Sequence, residues 1–416
     1  MKKAVGLLSA LVLVLTLFGC GTGGNQNKVP ENGTPGNGQP ETNNQTNSAP
    51  YVDISISSVG DILIHNTLYM AAYDSASNSY DFRSQYRYVT PYLETADITI
   101  ANLETTLAGP EKGYSGYPRF NSPDSLVDAL KDAGIDILTG ANNHRLDEGV
   151  SGFYRTIDTV RNEGLDIIGV KSEQKDKTYV IKEIKGIPVA FLNFGYGFKH
   201  SDGSLDINGL LLPMDMSGLM DTFDPNDPEQ SVTAIKNRVD EVRREGAQLV
   251  ILCLHWGNEY QRTPDQFQQD LASELATYGV DAIFGGHPHV LQPVVYLSNA
   301  NGGKVPVFYS QGNFISDQRL ETVDDIHTER GMIANVTFRV YPDKTKKVMN
   351  TQTVPTWVNK KRINGKLVYE VIPANDALAS PDKFPLITNA DLDRIRSCVE
   401  GVRSLVLIDE PIDPTT

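Results

Sequence analysis

The sequence predicts an α/β protein in which two packed β-sheets are flanked by helices. Two observations lead to this prediction. Between about residues 51 and 290, short apolar segments alternate with amphipathic helical segments, the order typical of strands covered by helices. Between about residues 291 and 340, strand-like segments follow one another without helices, which favours a second, more antiparallel sheet.

The predicted strands are short, and polar motifs follow several of them directly. Strands of the first part are predicted at 54–59, 97–101, 135–138 and 166–168, twice within 179–194, before His255, and at 281–284. Helices are predicted at about 122–133, 149–163, 231–245 and 264–278. The second sheet is assigned the segments 294–296, 305–309 and 332–340. Residues 201–229, rich in Asp, Gly and Pro, predict a long surface loop.

The first twenty residues are typical of a bacterial lipoprotein signal. Lys2 and Lys3 precede an apolar run at 4–18 that is too short to span a bilayer. Leu17-Phe18-Gly19-Cys20 matches the site of lipoprotein signal peptidase, so residues 1–19 should be removed and Cys20 lipidated. An ordinary signal peptide with a chance cysteine is the alternative. The expected location is extracytoplasmic, with the chain lipid-anchored to the cell membrane.

Composition divides the rest of the chain and limits its partners. Residues 20–50 consist almost entirely of small and polar residues and predict a disordered tether. We expect the folded domain at 51–345 and a C-terminal extension at 346–416, with a helix at 389–405. The formal net charge of −15 argues against nucleic-acid binding, which requires a basic surface. Cys253 and Cys398, the two cysteines besides Cys20, do not suggest a disulfide framework.

Side chains that bind metal ions follow several predicted strands. Because ligands of α/β proteins bind beyond the carboxyl ends of strands, we expect these side chains to meet there. Their mixed oxygen and imidazole donors suit one or two ions of manganese, iron or zinc better than calcium or magnesium. The Gly286-His287-Pro288-His289 segment is the most specific part, because two histidines on a turn can converge. The predicted ligands are Asp61, Glu104, Asn143, His255, His287 and His289.

Other polar residues near these ligands are candidates for catalysis and substrate binding. His144 follows a ligand position and could protonate a leaving group, or could simply hydrogen-bond a backbone carbonyl. Arg119, Glu259 and Asn313 are predicted to bind substrate. The alternatives are a solvated side chain for Arg119, a turn-forming role for Asn313, and for Glu259 a position behind the metal ligands that supports them without facing substrate. Asp147 is predicted to be a turn or N-cap residue before the next helix.

Six motifs follow one another in an order that resembles the bacterial capsule synthesis protein CapA family. This family is linked to poly-γ-glutamate and is a branch of the calcineurin-like metallophosphatase superfamily. The resemblance runs from about residue 57 to residue 314. The motifs are Gly60-Asp61, Asn102-Leu103-Glu104, Ala141-Asn142-Asn143-His144, His255-Trp256-Gly257 with Glu259-Tyr260, Gly286-His287-Pro288-His289 and Gly312-Asn313-Phe314.

The resemblance implies a four-layer α-β-β-α sandwich with the six predicted ligands at metal positions and His144 as the catalytic histidine. Two features depart from the phosphoesterase pattern. Leu63 stands where the superfamily usually has the histidine of Asp-x-His, and Glu104 stands in place of an aspartate. One metal site is therefore a ligand short.

Three functions follow as hypotheses. The first is biosynthesis, export or processing of an anionic polymer such as poly-γ-glutamate, by a metal-dependent hydrolase or transferase that works with a membrane-bound polymer synthase complex. The second is an extracellular metallophosphoesterase, against which the missing ligand counts. The third is a polymer-binding scaffold without catalysis, against which the full set of histidine and asparagine positions counts. Cleavage of phosphate esters that depends on His144 would favour the second hypothesis.

Overall fold

The computed structural model describes residues 51–406. The predicted signal peptide, Cys20 and the tether up to residue 50 lie outside this range. Among the described residues, no helix has both the length and the apolar character needed to cross a membrane.

The described strands are β1 (Val52–Ile62), β2 (Tyr73–Asp74), β3 (Ser79–Tyr80), β4 (Ile98–Leu103), β5 (Ile137–Thr139), β6 (Asp166–Ile168), β7 (Val180–Ile184), β8 (Ile187–Tyr196), β9 (Phe198–Lys199), β10 (Leu205–Ile207), β11 (Leu210–Leu212), β12 (Thr222–Phe223), β13 (Leu249–His255), β14 (Ala282–Gly286), β15 (Val294–Ser298), β16 (Lys304–Phe308), β17 (Asn313–Ile315), β18 (Arg330–Val340), β19 (Lys346–Ile363) and β20 (Lys366–Pro373).

Most helices connect successive parallel strands along the chain, and their amphipathic sequences predicted that they are helical. The helices are α1 (Asn66–Ala72), α2 (Arg83–Tyr86), α3 (Thr90–Leu93), α4 (Ser125–Asp132), α5 (Gly149–Asn162), α6 (Pro228–Arg244), α7 (Gln266–Tyr278), α8 (Leu320–Val323), α9 (Ala374–Ala379) and α10 (Asn389–Leu405). Helix α7 shows why the ends are well defined. Asp265 and Gln268 form a capping box at its start, and Gly279 ends it with a left-handed φ of 115°.

Two large sheets form the centre of the molecule. The first has the strand order β20-β19-β18-β1-β4-β5-β6, with β17 beside the end of β1. Strands β1, β4, β5 and β6 are parallel, whereas β18, β19 and β20 continue the sheet in antiparallel fashion. The second sheet has the order β12-β8-β13-β14-β16-β15, and its central strands β8, β13, β14 and β16 are parallel.

The sheets pack face to face, and helices cover their outer faces. Isoleucines and other apolar residues of β1, β4 and β18 meet those of β8, β13 and β14 in a continuous buried cluster. Helices α4 and α5 pack on the outer face of the first sheet, and α6 and α7 on that of the second. Burial of these four layers provides the main stabilisation of the fold. The four-layer α-β-β-α sandwich predicted from the resemblance is confirmed.

Two predictions about the elements were wrong. Residues 201–229 are not a surface loop, because they contain β10, β11 and β12 and bury Leu205, Ile207 and Leu212. The segments around 294 and 305 do not share a sheet with 332–340. Strands β15 and β16 extend the second sheet beyond β14, whereas β18 pairs with β1 in the first. Apolar alternation identifies a strand, but the choice of its partner depends on long-range packing.

The residues after 345, predicted as an extension, continue the first sheet. Strand β19 pairs along β18, and β20 pairs along β19. Helices α9 and α10 then cover this end of the sheet, where Trp357, Ile395 and Cys398 belong to one buried cluster. The predicted C-terminal helix at 389–405 is thus present, and it packs on the same sheet that holds part of the site described next.

Candidate metal centre and active site

The carboxyl ends of the parallel strands in both sheets converge, and the six predicted metal ligands meet there. Asp61 lies near the end of β1 and Glu104 directly after β4, while Asn143 follows β5. His255 ends β13 in the opposing sheet, and His287 and His289 follow β14. All six side chains are buried. The structure therefore places the six candidate ligands at the strand ends, as the sequence predicted.

The ligand atoms form two groups that share Glu104. One group contains Glu104, His287 and His289, and the other contains Asp61, Glu104 and His255. Within each group the potential ligand atoms lie within 4.8 Å of one another. Asn143 Oδ1 extends the second group, because it lies 2.9 Å from His255 Nε2. The residues of these two groups would hold one or two divalent ions.

The His287-Pro288-His289 turn brings two imidazoles to the same side of the backbone. His287 has a φ of 95° and His289 a φ of 57°, both in the left-handed region that residues other than glycine rarely adopt. The His287 backbone N–H donates to Asp61 Oδ2 at 3.1 Å, which joins the two sheets at the site. Such unusual backbone conformations are concentrated at functional sites. The predicted convergence of the two histidines is thus observed.

Asn102, which the sequence analysis left without a role, connects several ligands. Its Nδ2 donates to Asp61 Oδ1 at 2.8 Å and lies 3.2 Å from His255 Nδ1. Its Oδ1 accepts hydrogen bonds from Thr139 and Asn142. Partners of this kind orient ligands and tune their basicity. The motif Asn102-Leu103-Glu104 suggested that the position matters, but only the fold shows what Asn102 contacts.

Burial and mutual charge determine the protonation of the ligands. Burial raises the pKa of Glu104 well above its ordinary value, and the charge of Asp61 raises it further. Burial also tends to raise the pKa of Asp61, but a hydrogen bond and the charge of His289 outweigh it, so the net shift is downward. Burial lowers the pKa of His255 to about 3 and that of His287 well below the ordinary value. Neutral imidazoles have the free electron pairs that metal binding needs.

The residues fit a divalent metal. Glu104 Oε1 and His287 Nδ1 are buried without any hydrogen-bond partner. Two buried carboxylates in contact with neutral histidines are costly unless a cation compensates their charge. A metal bound between Glu104 and the surrounding histidines would satisfy both groups of atoms. The mixed oxygen and nitrogen donors agree with the predicted choice of ions, while the geometry does not select one metal.

His144 is held beside the metal ligands by a carboxylate. Its Nδ1 lies 2.8 Å from Asp147 Oδ2, and the ring of Phe120 meets it edge-on. Asp147 also accepts a hydrogen bond from the Phe120 backbone N–H at 2.7 Å. Asp147 lies in a turn, as one of its two predicted roles required, but Glu148 and not Asp147 is the N-cap residue of α5. The buried side chain of Asp147 has a further role, because it orients His144.

Two cavities border the candidate ligands. The first, called the His144 cavity, has a volume of about 380 Å³ and is lined by His144, His289, Glu259, Tyr260, His65 and Asp317 together with Leu63, Tyr117, Gln318, Thr322 and Val323. The second, called the His287 cavity, has a volume of about 410 Å³ and is lined by His287, Tyr196, Glu259, Asp265 and Phe267 together with Phe198, Pro225, Asn226, Gly257 and Asn258. Glu259 borders both. His289 thus borders one cavity and His287 the other.

The three predicted substrate-binding residues differ in their exposure and in whether they line a cavity. Glu259 is exposed and borders both cavities. Arg119 is exposed and does not line either cavity, although Tyr117 of the same loop does. Asn313 is fully buried, and its Oδ1 lies 3.1 Å from His289 Nδ1. Asn313 is thus placed behind a metal ligand, where it orients His289, and not in a substrate cavity.

Two further residues at the site were not predicted from the sequence. Tyr196 has its ring centre 5.0 Å from that of His287, and burial followed by the charge of Glu104 raises its pKa. His65 lines the His144 cavity, and burial lowers its pKa to about 4, against the opposing charge of Asp317. Tyr196 ends β8 and His65 lies three residues after β1, so both lie at strand ends as the predicted ligands do, a signal that the sequence analysis did not apply to them.

Comparisons with known proteins give the family. The model of the bacterial capsule synthesis protein PGA_cap matches residues 55–318. The capsule biosynthesis protein CapA of Bacillus anthracis is 31% identical over 278 residues, covering 64% of this chain and 60% of that protein. The PGA biosynthesis protein CapA of Bacillus subtilis strain 168 is 30% identical over 271 residues, covering 64% of each chain. The match thus spans less than two thirds of the length of these relatives.

The chain is also similar to proteins of known structure. The NAD nucleotidase of Haemophilus influenzae has a TM-score of 0.46 and 11% identity, with coverage of 88% of this chain and 65% of that one. A purple acid phosphatase from yellow lupin has a TM-score of 0.35 and 13% identity, with coverage of 73% and 55%. The family match extends from β1 through the ligands of both sheets to residue 318, beyond Asn313. The chain belongs to the bacterial capsule synthesis protein PGA_cap family.

Proposed function

We propose that this protein is a lipid-anchored, extracytoplasmic hydrolase or transferase that acts on γ-glutamyl amide bonds of a capsule polymer such as poly-γ-glutamate. The observation that supports catalysis is the combination of two buried ligand groups around Glu104 with a histidine–carboxylate pair in the adjoining cavity. A protein that only binds polymer has no need for such a buried arrangement, whose electrostatic cost is high. Family membership supports the capsule as the context.

Different residues of the chain have different roles in the proposed amide cleavage. A divalent metal, when bound, supplies Lewis-acid polarisation of the scissile carbonyl. Asp147 is hydrogen-bonded to His144 Nδ1. His144 Nε2 is therefore the atom that can donate a proton to the leaving nitrogen of the amide. Asn102 and Asn313 hold Asp61 and His289 in place. In residues 51–406 no lysine or arginine lines either cavity, so binding of an anionic substrate would depend on the bound metal and on polar side chains.

A direct test uses purified protein supplied with manganese, iron or zinc and two substrates. We expect release of amine from γ-linked glutamate oligomers, detected with an amine-reactive dye, and no measurable cleavage of p-nitrophenyl phosphate. Prior treatment with a chelator should abolish the reaction. Cleavage of the phosphate ester alone would make the protein a metallophosphoesterase, and binding of the oligomer without any cleavage would make it a scaffold.

The proposed membrane attachment is tested separately. Lys2, Lys3 and the segment ending at Cys20 support lipidation by the lipoprotein pathway. We expect Cys20→Ser to move the protein from the membrane fraction to the soluble extracytoplasmic fraction, or to leave its signal peptide uncleaved. The same distribution for wild type and variant would contradict attachment through Cys20. Attachment would place the site near a membrane-bound polymer synthase complex, the expected partner.

A further inference from the structure

The charge of the two cavities is opposite to what an anionic polymer would be expected to need. Three carboxylates line them, those of Glu259, Asp265 and Asp317. In the described part of the chain, none of the residues lining either cavity is lysine or arginine. The free α-carboxylates of γ-linked glutamate would be repelled by these carboxylates wherever a bound metal does not offset their charge. A positively charged group of the polymer would instead be attracted to them.

Two of the three carboxylates already have partners within the protein. Asp317 accepts from Lys360 Nζ at 2.6 Å and from the Tyr369 hydroxyl at 2.8 Å. Asp265 caps α7 by accepting from the Gln268 backbone N–H at 2.8 Å. These interactions leave little of either charge for a ligand.

Glu259 differs from both. It forms no salt bridge with any residue in the range 51–406. Its position is nevertheless fixed, because the next residue, Tyr260, donates its backbone N–H to Pro288 O at 2.8 Å. This bond ties Glu259 to the turn that holds His287 and His289. An exposed carboxylate without a cationic partner thus stands where the two cavities meet at the ligands.

We propose that Glu259 binds the free ammonium group at the amino end of a γ-linked glutamate chain and so restricts cleavage to that end. In such a chain every other amino group is consumed in an amide bond, so the amino-terminal residue alone offers a cation. An ammonium group would form a charge-assisted hydrogen bond with Glu259. Interior residues would present only their carboxylates. This inference rests on the proposed function and specifies its substrate end.

The corresponding reaction removes one residue at a time. Water adds its oxygen to the carbonyl carbon of the first γ-amide and releases a proton to solvent. The carbon–nitrogen bond then breaks as the leaving nitrogen takes a proton from His144, which regains one from solvent. The products are free glutamate and a chain shortened by one residue. The shortened chain has a new free amino group, because the leaving nitrogen becomes its amino terminus. The same recognition can then be repeated.

The test compares pentameric γ-glutamate that has a free amino end with the same pentamer acetylated at that end, each labelled at its carboxyl end. Binding is measured by fluorescence anisotropy with the full-length protein, and products are separated by chromatography. Wild type should bind the free form about tenfold more tightly or better, as expected for one charge-assisted hydrogen bond. It should release free glutamate from that form only.

The variant Glu259→Gln keeps the size of the side chain and removes its charge. It should weaken binding of the free pentamer about tenfold and leave binding of the acetylated one within a factor of two or so. Glu173→Gln is the matched control, because Glu173 lies on the surface with Lys175 as its partner, and it should behave as wild type. Thermal unfolding of each variant checks the fold.

The outcomes separate this inference from the proposed function. Equal binding of both pentamers by wild type, or a preference that survives Glu259→Gln, would overturn the role of Glu259. Cleavage of the acetylated pentamer at interior bonds would also overturn it while supporting the hydrolase. Selective binding of the free form without cleavage of either form would support amine recognition and contradict the hydrolase.

Discussion

Replacing Glu104 with Gln is expected to lower metal affinity by more than about 100-fold, since loss of an outer-shell partner alone costs 10–100-fold. Glu104 belongs to both ligand groups, so a single substitution weakens both. Thermal unfolding with and without added metal measures the effect. For wild type, metal at about 1,000 times its Kd should add about 4 kcal/mol to the free energy of unfolding. The variant should gain much less at the same concentration.

The metal-free proteins should show the opposite order of stability. Burial and the charge of Asp61 raise the pKa of Glu104 in the folded state, so the folded protein binds this proton more tightly than the unfolded chain. The free energy of unfolding of chelator-treated wild type should therefore fall as the pH rises through the range between the ordinary and the raised pKa. Glu104→Gln lacks this proton, so its free energy of unfolding should exceed that of wild type by about 1 kcal/mol or more at neutral pH. A metal-free variant less stable than wild type would contradict this account.

Replacing His144 with Ala is expected to lower kcat on the cleaved substrate by roughly 100-fold to 10,000-fold, the contribution of a positioned general acid. Metal content should remain as in wild type, because His144 is not a member of either ligand group. Both quantities can be measured on one preparation, by steady-state kinetics and by elemental analysis. Loss of metal together with activity would show that His144 supports the ligands and does not act on substrate.

Two variants complete the test of His144. Asp147→Asn should lower kcat with little change in KM, because it disturbs the orientation of His144 without removing the ring. His200→Ala is the matched control, since His200 is about half exposed and faces Asp206 away from the ligand groups. It should retain wild-type activity. A defect in this control as large as that of His144→Ala would point to a general effect on the fold.

The position of the candidate ligands could be predicted from sequence because each lies at the end of a strand whose apolar pattern is clear. His255 ends the buried run of β13, and His287 follows β14 after two glycines. Once the strands are parallel, topology brings these residues together without further information. The helices α5, α6 and α7 were predictable for a similar reason, because their apolar faces repeat with helical spacing.

The residues that position the ligands could not be assigned in this way. Asp147 precedes a helix, so its local sequence suggests a cap, and its contact with His144 depends on the path of the loop. Asn313 lies in a turn-like segment, yet it contacts His289, which is 24 residues earlier. Asn102 contacts His255 from the opposing sheet. Such contacts depend on how the two sheets face each other, which local pattern does not specify.

The same limitation explains the errors in the sheets. Strands β15 and β16 form a hairpin, and a hairpin can extend either of two neighbouring sheets. Here β16 pairs with β14 because Val307 and Phe308 align with Ile283 and Phe284. In the segment at 201–229, glycines and prolines concealed short strands, and its buried leucines pack with the helix side of the first sheet.

The metal content of the purified wild-type protein tests the central claim most directly. Elemental analysis after expression with manganese, iron and zinc, and again after reconstitution, gives the number of ions per chain. We predict one or two tightly bound ions per chain in wild type, and less than half of that in His287→Ala and His289→Ala. A wild-type protein that binds no manganese, iron or zinc after reconstitution would contradict the metal centre, and with it the proposed hydrolase.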